Sequence, residues 1–368
     1  MATEKAKLEI VIAGGGTGGH LFPGLATAAA LQELAPAVGL TFVGTGRPVE
    51  AKALASRPYA YYVLPAPRLA RSLHPANLIL PFRLAWAVAR AGRLLRKVGA
   101  AAVVGTGGYG SAPVVVAARL RGLPAVLLEQ NIIPGLTNRL LSRWANLACV
   151  TFEPSRDWLR PGLRVAVTGN PIRPVREADD VRGARQRLGL APDRFTAFVF
   201  GGSQGARRLV EATAAALLRW EGEDIQLIVQ TGEATPLAPP PAWEGRMVVR
   251  PFFDEIYDCY RAAEVVVCRA GGGVAEVLAF GKPMILVPYP YAAHGHQLRN
   301  ASYLEQEGAA LVVDDADLTG ERMAALVTEL RRDTGRRETM ARASRELGRP
   351  EAARHAAREI LRLIGVEA

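Results

Sequence analysis

Short runs of apolar, often β-branched residues recur along the chain, and between most of them apolar positions fall at helical spacing. In the first half the strand-like runs lie at 8–13, 40–44, 60–64, 101–105, 124–128 and 147–151. In the second half they lie at 196–200, 225–229, 246–250, 264–268, 284–288 and 310–313. Runs that are apolar at successive positions belong to strands buried on both faces, and strands separated by helices imply parallel sheets. The pattern predicts an α/β chain of two Rossmann-like, doubly wound domains. The segment TGNPIRP (Thr168 to Pro174) reads as the hinge. The first domain is expected over 1–165 and the second over 166–349, with a C-terminal helix at about 350–368 crossing back onto the first.

A glycine loop appears near the start of each half. GGGTGGH (Gly14 to His20) follows the first strand, and GGSQGARR (Gly201 to Arg208) follows the strand TAFVF. Each is followed by an apolar-periodic helical run. Glycines let backbone N–H groups approach an anion at the positive end of a helix, so both loops read as phosphate cradles. Gly14, Gly16 and Gly19 also satisfy the dinucleotide fingerprint, which expects an acid at the end of the second strand. Gly44, Thr45 and Gly46 stand there instead, which disfavours a nicotinamide enzyme.

Composition narrows the class. The 368 residues are 49% hydrophobic and 22% charged, as in a globular protein of two ordinary domains. Cys149, Cys259 and Cys268 show no paired spacing, which points to a reducing compartment. The net charge of +10 is uneven: no Asp or Glu occurs between Glu50 and Glu129, an interval holding eleven Lys and Arg. Within it, Leu78, Leu80, Phe82 and Trp86 interleave with Arg83, Arg90, Arg93, Arg96 and Lys97. Apolar anchors among basic residues suit an anionic membrane surface. The competing reading is a core face of Leu84, Val88 and Leu95 with solvated arginines opposite.

Candidate chemistry clusters after the strands. His20 closes the first loop, ahead of a helix expected from about Pro23; it can take a proton from a sugar hydroxyl or merely cap the helix. A third glycine turn, GTGGYGS, starts at Gly105, and Glu129, Gln130 and Asn131 end another strand. Glu129 is a second candidate base. Glu276 is placed in the first turn of a helix, where it can hold ribose hydroxyls or simply complement the helix dipole. Asp315-Ala316-Asp317 reads as the entry to a helix near Leu318 rather than a metal site, and no metal cluster is evident.

These motifs together (GGGTGGH, GGYGS, EQN followed by GLTN, GNPIR, GGSQGAR and a late CRAG…AE…P…HQ…NA) resemble the MurG family of peptidoglycan glycosyltransferases, in order and over about residues 8–310. The resemblance implies a GT-B fold whose two domains face a central cleft. It implies inverting transfer of N-acetylglucosamine from UDP-GlcNAc to lipid I, giving lipid II, without metal or cofactor, by a peripheral protein at the cytoplasmic face of the membrane. It places donor contacts on Thr17, Gly18, Gly19, Asn131, Arg173 and Ser203, with Glu276 on the ribose, Gln297 on the sugar or phosphate and Phe253 beside the uracil. It makes His20 the general base. The turn Gly271–Val274 is one residue shorter than the family's, and Leu128 stands where the family has a histidine.

Other classes account for less. A UDP-GlcNAc 2-epimerase shares fold and donor but needs no lipid face, and another glycolipid synthase differs only in acceptor. A nucleic-acid-binding protein accounts for the charge but leaves two phosphate cradles without a use, so no nucleic acid partner is expected.

Overall fold

The computed structural model describes residues 8–66, 79–175, 180–202 and 205–367. Ser203 and residues 68–78 of the basic, apolar stretch lie outside the described residues. The chain forms two compact units, each built on one sheet.

The first unit carries β1 (Glu9–Ala13), β2 (Gly39–Gly44), β3 (Ala60–Val63), β4 (Ala100–Gly105), β5 (Ala125–Glu129), β6 (Leu147–Val150) and β7 (Arg164–Val167). Their order is β3-β2-β1-β4-β5-β6-β7, and every pair is parallel. The second carries β8 (Phe195–Phe200), β9 (Ile225–Gln230), β10 (Met247–Arg250), β11 (Val265–Cys268), β12 (Met284–Leu286) and β13 (Ala310–Val312), in the order β10-β9-β8-β11-β12-β13. Counted from its own first strand, each sheet begins 3-2-1-4-5-6, the doubly wound Rossmann order.

Burial on both faces explains why the strands are apolar throughout. Ile10 and Ile12 point into a layer with Leu21, Leu25 and Leu31, while Val11 and Ala13 point the opposite way, against Leu94, Leu95, Val114 and Val115. The terminal helix Ala352–Leu363 buries Ala353, Ala356, Ala357 and Ile360, an i, i+3, i+4, i+7 stripe, against the first helix, Gly18–Leu34. Sandwiched between sheet and terminal helix, the first helix is apolar almost all round. All three cysteines are free and buried, and burial pushes their thiols up, that of Cys149 to about 12.

The expected boundary at 165 is corrected, because it cuts through β7. The first unit comprises Met1–Pro174 with Glu351–Ala368, and the second Val175–Pro350. β7 is a four-residue edge strand with one exposed and three half-buried residues. Among the described residues no helix is long and apolar enough to cross a membrane.

Replacing Ile360, which is fully buried, by Ala removes a branched side chain from the seam between the first and last helices. We expect a loss of about 2–5 kcal/mol from the unfolding free energy of the first unit. Chemical denaturation of the full chain measures it, and a change under 1 kcal/mol (about the cost of a surface substitution) would mean the terminal helix contributes little.

Candidate active site

In the first unit the loops after β1, β4 and β5 gather at the C-terminal edge of three adjacent strands, where open α/β sheets bind ligands. The helix after β1 begins at Gly18, not near Pro23, which lies inside it. His20 therefore stands in the first turn, and the loop is only Gly14–Thr17. Its tightness demands glycine: Gly15 has φ 135°, and a Cβ there would lie 2.2 Å from a carboxylate oxygen of Glu50. Thr17 and Gly19 are exposed and Gly18 is buried. The N–H groups of a helix's first turn have no intrahelical acceptor and can receive an anion.

The imidazole of His20 is half-buried. Its Nδ1 lies 3.1 Å from the carbonyl oxygen of Thr106 and 3.3 Å from Oε1 of Gln130. Two oxygen acceptors in front of Nδ1 place the proton of the neutral ring there and leave the basic lone pair on Nε2. Gln130 is itself held, since its Nε2 donates to the carbonyls of Thr106 and Leu128, at 3.2 Å each. The third glycine turn packs on the ring: Gly107 has φ 99°, and a Cβ there would come within 2.9 Å of Nδ1. The ring is thus held in one orientation by contacts outside its own helix, and the N-cap position belongs to Thr17 rather than to His20.

Glu50 and Glu129 serve the loops. Glu50, with no exposed surface, accepts six hydrogen bonds: from Gly16 N (2.6 Å), both N and Oγ1 of Thr45 (2.8 Å each), Gly46 N (2.8 Å), Arg47 N (3.2 Å) and Tyr61 Oη (2.8 Å). Arg47 Nη1 donates to the carbonyl of Gly16 at 2.7 Å, so both sides of the Gly16 residue are clamped. Glu129 accepts four hydrogen bonds, from N and Nδ2 of Asn131, Gly135 N and Asn138 Nδ2. Burial pushes its pKa up against the pull of those donors. Its carboxylate is committed to fixing the loop that carries Asn131.

In the second unit the corresponding edge carries the turn after β11. Glu276 lies in the first turn of the helix Val274–Ala279, and Tyr260 Oη donates to its Oε2 at 2.9 Å. Tyr260 is fully buried among Phe198, Phe200, Tyr257 and Phe280, which fixes the carboxylate it holds. Gln297 accepts from Tyr289 N at 2.9 Å and aims its Nε2 at Gly271, while Asn300 donates to the carbonyl of Ala270. Arg269 donates to the Val287 carbonyl and to Asp315, which also pairs with Arg208. Asp315 thus has two arginine partners, and the following helix, Gly320–Arg332, is capped by Thr319. Among the described residues no group of three or more His, Cys, Asp or Glu is placed to hold a metal ion.

Phe253, expected beside the uracil, has a ring 2% exposed that packs edge-on against Phe198, whereas the neighbouring Phe252 is 49% exposed. Arg173 is exposed at the end of the first unit. Glu50, Tyr260 and Arg269 were not anticipated, and Gln130 was singled out without its contact to His20. For Glu50 a signal existed: Pro48 and Glu50 at the first and third positions of a short helix are a helix-start signature.

The helix Leu80–Lys97 combines both readings of the basic stretch. Ala87, Ala91, Leu94 and Leu95 are buried, but every residue from Pro81 to Trp86 is exposed, with Phe82 at 76%. It runs between β3 and β4, so its exposed N-terminal end lies at the same sheet edge as the glycine loops.

Comparison with known proteins bears on the family and the fold. Residues 10–150 match the glycosyltransferase family 28 N-terminal domain, and residues 196–358 match the glycosyltransferase family 28 C-terminal domain. The UDP-N-acetylglucosamine--N-acetylmuramyl-(pentapeptide) pyrophosphoryl-undecaprenol N-acetylglucosamine transferase of Desulforudis audaxviator (strain MP104C) is 38% identical, over 94% of this chain and 95% of that one. The crystal structure of Acinetobacter baumannii MurG superposes with a TM-score of 0.76 at 29% identity, covering 96% of this chain and 99% of that one. A UDP-N-acetylglucosamine 2-epimerase structure, at 16% identity and TM-score 0.64 over 98% of this chain and 96% of that one, shares the fold.

Burial would raise the pKa of Glu50, but donors from Tyr61, Thr45 and Gly16 outweigh it and hold the carboxyl below its ordinary value. A lowered folded pKa gives stability that is present above the unfolded value, about 4.3, and lost as pH falls through the folded one. We expect Glu50→Gln to lower stability by about 2–4 kcal/mol at neutral pH and to flatten its decline in acid. Urea denaturation at several pH values checks this, and parallel acid limbs in the two proteins would refute it.

Proposed function

This chain belongs to the MurG family of glycosyltransferases, and from that premise we propose that it transfers N-acetylglucosamine from UDP-GlcNAc to the muramoyl 4-hydroxyl of lipid I, forming lipid II. The observation that carries this reading is the oriented His20 beside an open helix N-terminus. Nε2 removes the proton of the acceptor hydroxyl as its oxygen attacks the anomeric carbon. The bond from that carbon to the UDP oxygen breaks, the configuration inverts, and the developing imidazolium is stabilised by Thr106 and Gln130 through Nδ1. Amides at Thr17, Gly18 and Gly19 receive phosphate at the helix N-terminus, and Asn131 presents its amide to the sugars.

The second unit holds the donor. Glu276, oriented by Tyr260, accepts the ribose hydroxyls, Gln297 contacts the sugar or phosphate, and Phe252 takes the place expected of Phe253 beside the base. Ser203 and Arg173 complete the phosphate contacts by motif. The exposed Phe82, Leu84 and Trp86, with Arg83, Arg90 and Arg93, lie against the cytoplasmic face of an anionic membrane and bring the glycine loops to the lipid-borne diphosphate.

Incubation with UDP-GlcNAc, a short-chain lipid I analogue and EDTA tests the reaction by formation of disaccharide-lipid. Release of UDP or epimerised donor without that product would overturn it in favour of an epimerase or another glycolipid synthase. His20→Ala should lower kcat by about 10²–10⁴-fold with donor binding unchanged, and unaltered turnover would remove the histidine from the chemistry. For the membrane face, Phe82→Ser with Trp86→Ser should weaken sedimentation with phosphatidylglycerol vesicles by at least about tenfold, since each anchor contributes roughly 1.5–3 kcal/mol on burial. Equal sedimentation would refute that docking.

A further inference from the structure

At the opposite edge of the first sheet, beside the N-terminal ends of β6 and β7, four arginines converge on one cavity of about 290 Å³. Arg119 comes from the end of the helix Ala112–Leu120, Arg143 follows the helix Leu136–Leu141, and Arg160 and Arg164 flank the turn into β7. Trp144, Ala145, Asn146 and Gly162 complete the wall, and among the described residues no Asp or Glu lines it. Arg164 pairs with Glu359 from the terminal helix. Among the described residues, Arg119, Arg143 and Arg160 have no ion pair.

Gathering like charges is unfavourable unless an anion shares them. Helix C-termini offset part of the cost at Arg119 and Arg143, but Arg160 and Arg164 lie on no helix. The ligand can be classed by counting donors. A guanidinium presents a fork of N–H groups, and the two oxygens of one carboxylate cannot engage three or four such forks, whereas a phosphate group offers more acceptors and more charge. The volume is at the lower end for small-ligand pockets, enough for a phosphate group and a short attached moiety. Trp144, which lines the cavity, is 41% exposed and offers an apolar surface to whatever the phosphate group is attached to. The substrate-binding loops occupy the other end of the strands, so this cavity is separate from them.

We propose that Arg119, Arg143, Arg160 and Arg164 form a second, non-catalytic phosphate-binding site, filled by a phosphate group on an anionic lipid headgroup or on a soluble ester. Calorimetric titration of the full chain with inorganic phosphate, with UDP present to occupy the donor site, reads it directly. The triple variant Arg119→Ala, Arg143→Ala, Arg160→Ala should lose affinity by about tenfold for each arginine removed. Arg121→Ala, a nearby charge outside the lining, should bind as the unaltered chain does, and turnover of a soluble acceptor should be unchanged in both. Sedimentation with phosphatidylglycerol and phosphatidylcholine vesicles separates the sources. A parallel loss on phosphatidylglycerol alone identifies a lipid headgroup, and unchanged sedimentation with lost phosphate binding identifies a soluble ester. Equal phosphate affinity in the unaltered and triple-variant chains, or no binding by either, overturns the site.

Discussion

One buried carboxylate sets the geometry of the first unit. Glu50 draws N–H and O–H donors from the loop after β1, the loop after β2 and β3 itself onto two oxygens. Sheet hydrogen bonds fix where strands lie but not how the loops beyond them curl. Here the curl is set by an anion that belongs to the protein and needs all those donors at once. With Gly16 clamped from both sides, the first helix must begin at Gly18, and that puts His20 within reach of Thr106 and Gln130. The imidazole is therefore oriented by a chain of contacts that starts on the far side of its own loop.

The acid-free interval of the sequence acquires a structural meaning. The carboxylates at its two borders, Glu50 and Glu129, are both buried and both saturated with donors from backbone and amide groups. The described surface between them offers arginines and lysines with no negative neighbour from the same stretch. Inside, negative charge organises loops; outside, positive charge is left for phosphates.

How much of this was legible follows from the physics of each element. Twelve strands announced themselves as apolar runs, including the edge strand β3, which is no more buried than β7; the four-residue β7, opened by Arg164, did not. The alanine stripe of the terminal helix was readable because its period is local. The tautomer of His20 was not, because it depends on residues 86 and 110 positions away. Phe252 and Phe253 show a different limit: which of two adjacent rings is buried depends on packing against Phe198, which comes from β8. Glu50 was overlooked because the acid was sought at the end of β2, whereas it reaches that end from the following helix.

The docking of the last helix on the first has a consequence for how the protein is made. The first unit needs residues 351–368 to close its core, whereas the second is one continuous stretch, 175–350. On a ribosome the second unit has all its chain before the first does. The first unit waits with the outer face of the helix Gly18–Leu34 uncovered until Ala353, Ala356, Ala357 and Ile360 emerge to cover it. The unit that takes the earlier stretch of chain is thus the later to be completed, and a ribosome stalled before residue 351 would hold a finished second unit and a first unit still open.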